Sequence, residues 1–552
     1  MTPEQLADTV LAAAAAALAE RQLDPAILPG TITVDRPRNP DHGDYASTVA
    51  LQVAQRAGLS PRELAQAIAA RLSNDPSIRS VEVAGPGFLN IRLRSAAGGA
   101  VAGLVVEQGD SYGHGAALSG QRVNLEFVSA NPTGPVHLGG ARWAAVGDAL
   151  ARLLRAQGAA VTTEYYFNDA GAQIDRFTAS LLAAARHEPV PEDGYLGEYV
   201  HEIAAAVVRD HPGVLDGAAA EARETFRSAG VALMLDEIKA SLAGFGVHFD
   251  VYFSENSLRG SGELEAVLAE LRAAGHVYEA DGATWVGTAD YGDDKDRVFI
   301  RSNGAYTYFA ADCAYYWNKR SRGFDKILIV LGADHHGYVG RMRAIAACLG
   351  DDPGQTLEIL IGQLVHLVRD GRPARMSKRA GMITTIDDIV DAIGTDATRF
   401  ALARYSLDSA INIDLELWTR RSNDNPVYYV QYAHARIASL DRRAADAGLS
   451  RGEYYDPGLL SHPRESDLLK VLADFPAVVL AGAELRQPHR VARYLEDLAG
   501  AYHRFNDACR ILPRADAPLD DVGRARLWLA DATRIVLAGG LGLLGVSAPE
   551  RL

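Results

Sequence analysis

The sequence has few cysteines and few lysines, and it contains no long hydrophobic run. Its three cysteines lie far apart and form no Cys-X-X-Cys pair, which argues against a disulfide framework or a zinc knuckle and indicates a reducing compartment. No apolar run approaches the roughly 20 residues that span a bilayer. The alanine-rich segment near the N-terminus has acidic flanks and no basic region, unlike a signal peptide. We therefore expect a cytoplasmic protein without a membrane segment.

Basic residues are fewer than acidic ones, 55 against 70, so the formal net charge of the 552 residues is −15. Such a balance argues against a protein whose whole surface is coated in nucleic acid. Only six residues are lysine, whereas 49 are arginine. A lysine at a particular place in this chain is therefore less typical of an incidental surface charge.

The chain is too long for one hydrophobic core, so we expect several domains. Helix patterns followed by two short strand patterns indicate a small α/β unit at the N-terminus. From Arg122 onward, a strand, a helix and a second strand alternate, which predicts a βαβ unit and a parallel sheet. A mostly helical segment follows, strand patterns then return, and the sequence beyond Pro426 is almost entirely helical.

These patterns predict an α/β multidomain fold with a Rossmann-like parallel-sheet domain. We assign a small N-terminal α/β domain to residues 1–110, the parallel-sheet domain to 111–170 and 290–400, a helical insertion to 171–289, and a C-terminal all-helical bundle to 401–552.

A glycine-rich loop, His137-Leu138-Gly139-Gly140, lies between the first strand of this βαβ unit and its helix. A helix N-terminus after a parallel strand offers unpaired N–H groups and a positive dipole end, which suits phosphate. The two glycines leave room for a ligand, and His137 could donate to a phosphate oxygen as negative charge builds in a phosphoryl or adenylyl transfer. A tight turn with one exposed histidine is the commoner meaning of such a short motif.

A second polar loop, with the sequence RMSKRAG, follows a strand hairpin much later in the chain. Lys378 lies between small and basic residues there and could neutralise a triphosphate as the loop closes. A solvated basic loop is the alternative, but the scarcity of lysine disfavours it. Two nucleotide-type loops in one α/β unit indicate nucleotide chemistry more strongly than either does alone.

Together the two loops resemble the HIGH and KMSK signatures of class I aminoacyl-tRNA synthetases. The longer strings VNLEFVSANPTGPVHLGG and NPVYYVQYAHARI resemble arginyl-tRNA synthetases in particular, and the resemblance extends over nearly the whole chain. Gly140 stands where the HIGH signature usually has its second histidine. The resemblance implies activation of L-arginine by ATP to arginyl-adenylate, followed by transfer to the 3′ end of tRNA(Arg).

The resemblance also implies roles for individual residues. Catalysis would involve His137, Gly139 and Lys378. Binding of ATP would involve Pro135, His137, Gly139, Gly140, Met376, Ser377 and Lys378. Binding of arginine would involve Glu126, Asn131, Tyr308, Asp312 and His336.

The chemistry of these side chains fits an arginine pocket. A guanidinium prefers a carboxylate that accepts two parallel N–H bonds, and an α-ammonium prefers oxygen acceptors. Tyr308 and Asp312 are four residues apart, so a helix would place them on one face. Without the resemblance, a core tyrosine and a helix-capping aspartate would be the better interpretation. We expect Asp312 to bind the guanidinium and Glu126 to lie nearer the α-amino group.

The stretch GADHHGYVGR follows a strongly apolar strand pattern, at the end where ligands bind in open α/β sheets. Asp334, His335 and His336 could bond the ribose or line the amino-acid pocket. Adjacent histidines on a strand point in opposite directions and no third ligand is evident, so we expect no dedicated metal site. Mg²⁺ would arrive with ATP.

The helical C-terminal segment carries aromatic residues that could contact RNA. Among them, Tyr428, Tyr429, Tyr432 and His434 could stack on anticodon bases, with Arg436 on the RNA backbone. An aromatic core stripe is the commoner meaning of this spacing. The resemblance implies a tRNA-contacting N-terminal domain and an anticodon-binding bundle, and we expect a monomer.

Three alternative functions fit parts of the sequence. An HxGH nucleotidyltransferase that adenylates a small metabolite would not need the C-terminal bundle. A synthetase for glutamate or cysteine is disfavoured by the Glu126 and Asp312 pair and by the missing cysteine–histidine zinc ligands. A tRNA-binding relative without activity is disfavoured by Lys378, although Gly140 fits it.

Overall fold

The computed structural model describes residues 1–335, 337–369, 371–374, 384–514 and 518–552. Some of the predicted site residues, His336, Met376, Ser377 and Lys378, lie outside the described residues.

The N-terminal unit packs helices on one side of a small antiparallel sheet. Its elements are α1 (Pro3–Ala19), β1 (Tyr45–Ser47), α2 (Val49–Ala57), α3 (Pro61–Leu72), β2 (Ile78–Ala84) and β3 (Phe88–Leu93), with strand order β1-β3-β2. The side chain of Thr2 accepts the Gln5 amide at 3.3 Å, and Ser60 accepts the Glu63 amide at 3.2 Å. These N-caps start the helices at the prolines that follow them.

The middle of the chain builds the parallel sheet. It continues with α4 (Ser95–Gln108), β4 (Arg122–Glu126), α5 (Leu138–Ala156), β5 (Ala160–Phe167), α6 (Ala172–Ala185), α7 (Glu198–Asp210), α8 (Ala219–Gly244), β6 (Val251–Ser254), α9 (Glu263–Ala273), β7 (Val277–Ala280), β8 (Ala283–Val286), β9 (Arg297–Ile300), α10 (Tyr308–Ser321), β10 (Lys326–Gly332), α11 (Tyr338–Cys348), α12 (Pro353–Thr356) and β11 (Leu357–Gly362).

Among the described residues, the parallel sheet has the strand order β11-β10-β4-β5-β6. Its central strands read as apolar runs, because helices cover both faces of a parallel sheet. The crossover helix α5 packs on β5 and is buried along nearly its whole length. The N-terminus of α5 is thereby fixed at the carboxyl edge of the sheet.

The segment 171–289, predicted as an insertion, contains one strand of the parallel sheet. Strand β6 lies within it and pairs in parallel with β5, so it is an edge strand of that sheet. The helices α6 to α8 precede β6, whereas β7, β8 and β9 form a separate antiparallel sheet. The domain boundaries, including those of the insertion, stay a prediction.

The C-terminal part begins with a small sheet and continues as a helical bundle. Its elements are β12 (Val365–Arg369), β13 (Arg372–Pro373), α13 (Ile386–Ile393), α14 (Thr395–Ala403), β14 (Ile411–Asp414), α15 (Leu415–Thr419), α16 (Pro426–Asp446), α17 (Pro463–Glu484), α18 (His489–Ala508) and α19 (Asp521–Leu543). The buried Arg399 of α14 joins three parts, because it bonds Asp148 of α5 and the carbonyls of Phe245 and Leu544.

The observed architecture confirms the predicted α/β multidomain class with a Rossmann-like parallel sheet and a C-terminal helical bundle. In the described part of the chain, no helix is both long and apolar enough to cross a bilayer.

Candidate active site

The candidate site lies at the carboxyl edge of the parallel sheet. Glu126 ends β4, and the loop from residue 127 to residue 137 connects it to α5. This loop begins with two residues of left-handed backbone, Val128 (φ 69°) and Ser129 (φ 38°). A β-branched valine rarely adopts positive φ, so the chain holds a strained turn where the site begins.

His137 caps the N-terminus of α5 with its side chain. Its Nδ1 accepts the backbone amides of Gly139 at 3.0 Å and Gly140 at 3.3 Å. An accepting Nδ1 places the proton of the neutral ring on Nε2, which faces away as a donor. Burial lowers the pKa of His137, while nearby Asp334 opposes this shift. The ring is therefore a neutral hydrogen-bond donor at neutral pH.

The first turn of α5 offers fewer free amides than the sequence predicts. The amide of Leu138 donates to the carbonyl of Thr384 at 3.0 Å, and that of Ala141 donates to the carbonyl of His137 at 3.0 Å. Those of Gly139 and Gly140 are taken by His137. The expectation of unpaired N–H groups for phosphate is thus wrong for this state, because the capping histidine satisfies them.

The described residues Thr384, Thr385 and Ile386 pair with the loop that carries His137. The amide of Ile386 donates to the carbonyl of Val136 at 2.8 Å, and His137 pairs with Thr385 in an isolated antiparallel bridge. Thr384 and Thr385 directly follow the RMSKRAG loop and residues 382–383. The chain just after residue 383 is therefore hydrogen-bonded to the loop that carries His137.

Gly140 is constrained by its own loop. A Cβ atom at Gly140 would lie 2.8 Å from Cγ1 of Val136, which is closer than real Cβ contacts. Val136 is β-branched and 3% exposed, so it has little freedom to move aside. The chain thus has a packing reason for glycine where the signature usually has histidine.

Placing the usual histidine at position 140 should therefore destabilise the folded protein. We expect Gly140→His to lower the free energy of unfolding by about 1–3 kcal/mol through overpacking. Adding Val136→Ala should recover part of the loss, since it removes the opposing methyl groups. Thermal unfolding of the two variants measures this effect. A Gly140→His protein as stable as the parent would show that Val136 does not set the residue at position 140.

The helix α10 carries the predicted Tyr308 and Asp312 one turn apart, as their spacing predicts. Tyr308 is 66% exposed at the first turn, whereas Asp312 lies deeper and accepts a hydrogen bond from Tyr338 of α11. Burial raises the pKa of Asp312 to about 7; Tyr338 and Arg341 oppose the shift, and Glu255 adds to it. Asp312 therefore needs a cationic partner to be fully ionised at neutral pH.

A second carboxylate, Glu255, lies beside Asp312 and was missed by the sequence analysis. It follows β6 directly, is 6% exposed and accepts a hydrogen bond from the hydroxyl of Tyr166. Burial and the nearby carboxylates of Glu255, Asp312 and Glu126 raise the pKa of Tyr166. Tyr166 thus lies among these carboxylates. The signal that could have found Glu255 is its place after a short aromatic strand, VYFS.

Glu126 and Asn131 are both held by hydrogen bonds. Oε1 of Glu126 accepts the hydroxyl of Ser129 at 3.0 Å, and its Oε2 is bonded from α10. Asn131 donates to Oε1 of Gln173 at 2.6 Å and accepts the amide of Asn168 at 3.0 Å. The loop after β4 is thereby tied to the segment after β5.

Asp334 and His335 directly follow β10. Asp334 and His335 lie in a short 3-10 turn (Ala333–His335), and the His335 Nε2 lies 3.4 Å from Oδ2 of Asp334. Within the described ranges, no group of three or more His, Cys, Asp or Glu residues is arranged to hold a metal ion.

Family models match three parts of the chain. Residues 4–93 match the arginyl tRNA synthetase N terminal domain, residues 216–403 the catalytic domain of class I (R) tRNA synthetases, and residues 430–552 the DALR anticodon binding domain. A curated arginine–tRNA ligase of Kineococcus radiotolerans is 59% identical over 554 residues, covering 100% of both chains. The chain belongs to the arginyl-tRNA synthetase family. As a member it is an arginine–tRNA ligase of class I.

Solved structures agree with this family. A putative arginyl-tRNA synthetase from Campylobacter jejuni has 33% identity and a TM-score of 0.75 over 83% of this chain and 100% of that chain. The arginyl-tRNA synthetase of Thermus thermophilus has 24% identity and a TM-score of 0.76 over 100% of both chains, and it supports the fold alone.

The synthetase presents an aromatic face on α16. The rings of Tyr428 and Tyr432 stack with centroids 5.9 Å apart, and the Tyr432 ring stacks on His503 of α18 at 5.7 Å. Tyr432 is 36% exposed, and Arg436 lies one turn further, 3.7 Å from Asp507. The opposite face, which includes His434, is buried. Of the predicted contact residues, Tyr428, Tyr432 and Arg436 therefore lie on the outer face of the helix, whereas the predicted His434 lies on its buried face.

Proposed function

We propose that the carboxyl edge of the parallel sheet activates L-arginine with ATP and transfers the arginyl group to the 3′ end of tRNA(Arg). The observation that carries this assignment is the cluster of Glu126, Glu255 and Asp312 around Tyr166. L-Arginine brings two positive charges, a guanidinium and an α-ammonium. Three carboxylates with restricted solvent access suit these two cationic groups and disfavour an acidic side chain.

In this proposal Asp312 accepts the guanidinium through two parallel N–H bonds, and Glu255 lies beside it. Glu126 and Asn131, at the start of the site, receive the α-ammonium. Tyr308 covers the pocket from the first turn of α10, and His336 completes it. The pocket thereby leaves the substrate carboxylate near the loop that carries His137.

The arginine carboxylate attacks the α-phosphate of ATP, and pyrophosphate leaves. The protein forms no covalent bond in this step, so it acts by positioning and by charge stabilisation. The Nε2–H of His137 donates to a phosphate oxygen, and Lys378 neutralises charge from the other loop. Pro135, Gly139 and Gly140 line the nucleotide on one side, and Met376 and Ser377 on the other.

Mg²⁺ enters this proposal as part of the substrate MgATP, in keeping with its preference for phosphate oxygens and water. The described residues hold no cluster for a resident ion. For tRNA, we propose that Tyr428, Tyr432 and Arg436 meet the anticodon and that residues 1–110 contact the body of the tRNA. We further propose a cytoplasmic monomer.

Charging of tRNA with each amino acid in turn tests the proposal. With ATP and unfractionated tRNA, we expect acid-precipitable product with arginine and with no other amino acid. Glutamate and cysteine are the informative competitors, since they belong to the alternative functions. Charging with another amino acid, or with none, would refute the assignment.

A further inference from the structure

Lys319 of α10 is a lysine buried inside the catalytic domain. Its side chain is 1% exposed, and its Nζ donates to Oδ1 of Asn124 at 2.6 Å and to Oε2 of Glu126 at 2.7 Å. The same Nζ lies 3.4 Å from Oε1 of Glu164. Each of its three N–H groups therefore has a partner. Burying a lysine is costly unless such partners compensate for lost water.

The strand register explains why a cation is needed here. Asn124 and Glu126 share one face of β4, and Glu126 is the register partner of Glu164 on the neighbouring parallel strand β5. Two carboxylates side by side on adjacent strands repel each other. Glu164 has a second cation, because Arg322 donates to its two oxygens at 2.6 and 3.1 Å. Lys319 and Arg322 together lower the pKa of Glu164 to about 2.

Among the described residues, Glu126 has no such second cation. In the described part of the chain, Lys319 is the one residue that forms an ion pair with it. The hydroxyl of Tyr315 lies 2.9 Å from Glu126 and 2.7 Å from Glu164, but its single proton can bond only one of them at a time. Lys319 is therefore the cation that fixes Oε2 of Glu126, while the hydroxyl of Ser129 bonds Oε1.

We propose that Lys319 is a positioning residue for arginine binding. Its Nζ holds Oε2 of Glu126. The other oxygen, Oε1, which is bonded to Ser129, then receives the α-ammonium of the substrate. This inference rests on the proposed role of Glu126. Lys319 itself touches neither substrate nor ATP and acts through Glu126.

The test compares Lys319→Met with Glu126→Gln in a double-mutant cycle, with the arginine concentration varied in charging assays. Lys319→Met should raise the arginine KM about 10- to 100-fold, the range for hydrogen bonds to charged groups. The ATP KM and kcat should change less than about threefold, because a bond made equally in the ground and transition states affects binding alone. When Glu126 is already glutamine, Lys319→Met should add little.

Lys326→Met is the matched control, because this lysine lies at the start of β10 and pairs with Glu358 at 3.7 Å. It should leave the arginine KM unchanged. Lys319→Met could fold poorly because it leaves buried carboxylates without their cation. In that case the double variant Lys319→Met/Glu164→Gln, which removes one positive and one negative charge, is compared with Glu164→Gln alone. Thermal unfolding reports folding separately from KM.

Two results would overturn the inference. One is an unchanged arginine KM in folded Lys319→Met when Glu126→Gln has raised it, which leaves the role of Glu126 intact. The other is a full additional effect of Lys319→Met in the Glu126→Gln background, which assigns Lys319 a role independent of Glu126. If Glu126→Gln itself leaves KM unchanged, the proposed pocket and this inference both fail.

Discussion

Replacing His137 by alanine should lower kcat for arginine charging by about 100- to 1000-fold, the usual effect of removing one donor to developing charge. The structure gives two reasons for a large effect. The Nε2–H of His137 is the donor that its capping geometry leaves free for phosphate. No second signature histidine can replace it, because position 140 is glycine and Val136 fills the adjacent space. The measurement is single-turnover charging at saturating arginine and ATP.

His137→Asn separates donation from capping. Asparagine is a good N-cap residue, so this variant keeps the start of α5, whereas His137→Ala loses about 1 kcal/mol of stability. We expect Asn to restore the melting temperature but not kcat. Recovery of kcat by Asn would mean that His137 acts only as a cap. Lys378 and backbone amides would then stabilise the negative charge that develops on the phosphate.

The parallel sheet and its loops could be predicted from the sequence because their signals are strong and local. Apolar runs of strand length, a glycine loop and a helix pattern in series specify the βαβ unit around β4, α5 and β5. The four-residue spacing of Tyr308 and Asp312 likewise sufficed to place both on one helix face. These features depend on periodicity, which a single sequence displays.

The hydrogen bonds of the helix N-terminus could not be predicted in the same way. The sequence predicts free amides at Gly139 and Gly140, but the structure gives them to His137. The loss of free amides depends on the rotamer of His137 and on the hydrogen bond from Leu138 to Thr384, which is far along the chain. The local sequence pattern predicts neither the rotamer nor this long-range hydrogen bond.

Long-range pairing also explains the missed residues. Glu255 belongs to the site only because β6, a strand of four residues, pairs with β5 after a long helical segment. Lys319 contacts Glu126 across 193 residues of sequence. Neither residue stands in a recognisable motif, so only the assembled sheet brings them close to Asp312 and Glu126.

Asp312→Asn should raise the arginine KM by about 100-fold or more, since removing one partner of a buried ion pair costs about 3–5 kcal/mol. A pH profile gives a second readout. The pKa of Asp312 in the free protein is raised to about 7. Only the ionised carboxylate pairs with a guanidinium, and kcat/KM reports the free enzyme. In the parent protein, kcat/KM for arginine should therefore rise with pH through about 7 and then level off.

The profile of each variant follows from the groups around Asp312. Asp312→Asn should lose the rise near pH 7, because no carboxylate remains to ionise. Tyr338→Phe removes the hydroxyl that lowers the pKa of Asp312, so its rise should move to higher pH at an arginine KM closer to that of the parent. In the parent protein, the rise of kcat should lie at lower pH than the rise of kcat/KM, because a bound guanidinium favours the ionised form of Asp312. A rise near pH 7 that persists in Asp312→Asn belongs to another group, and Asp312 would then not be the guanidinium ligand.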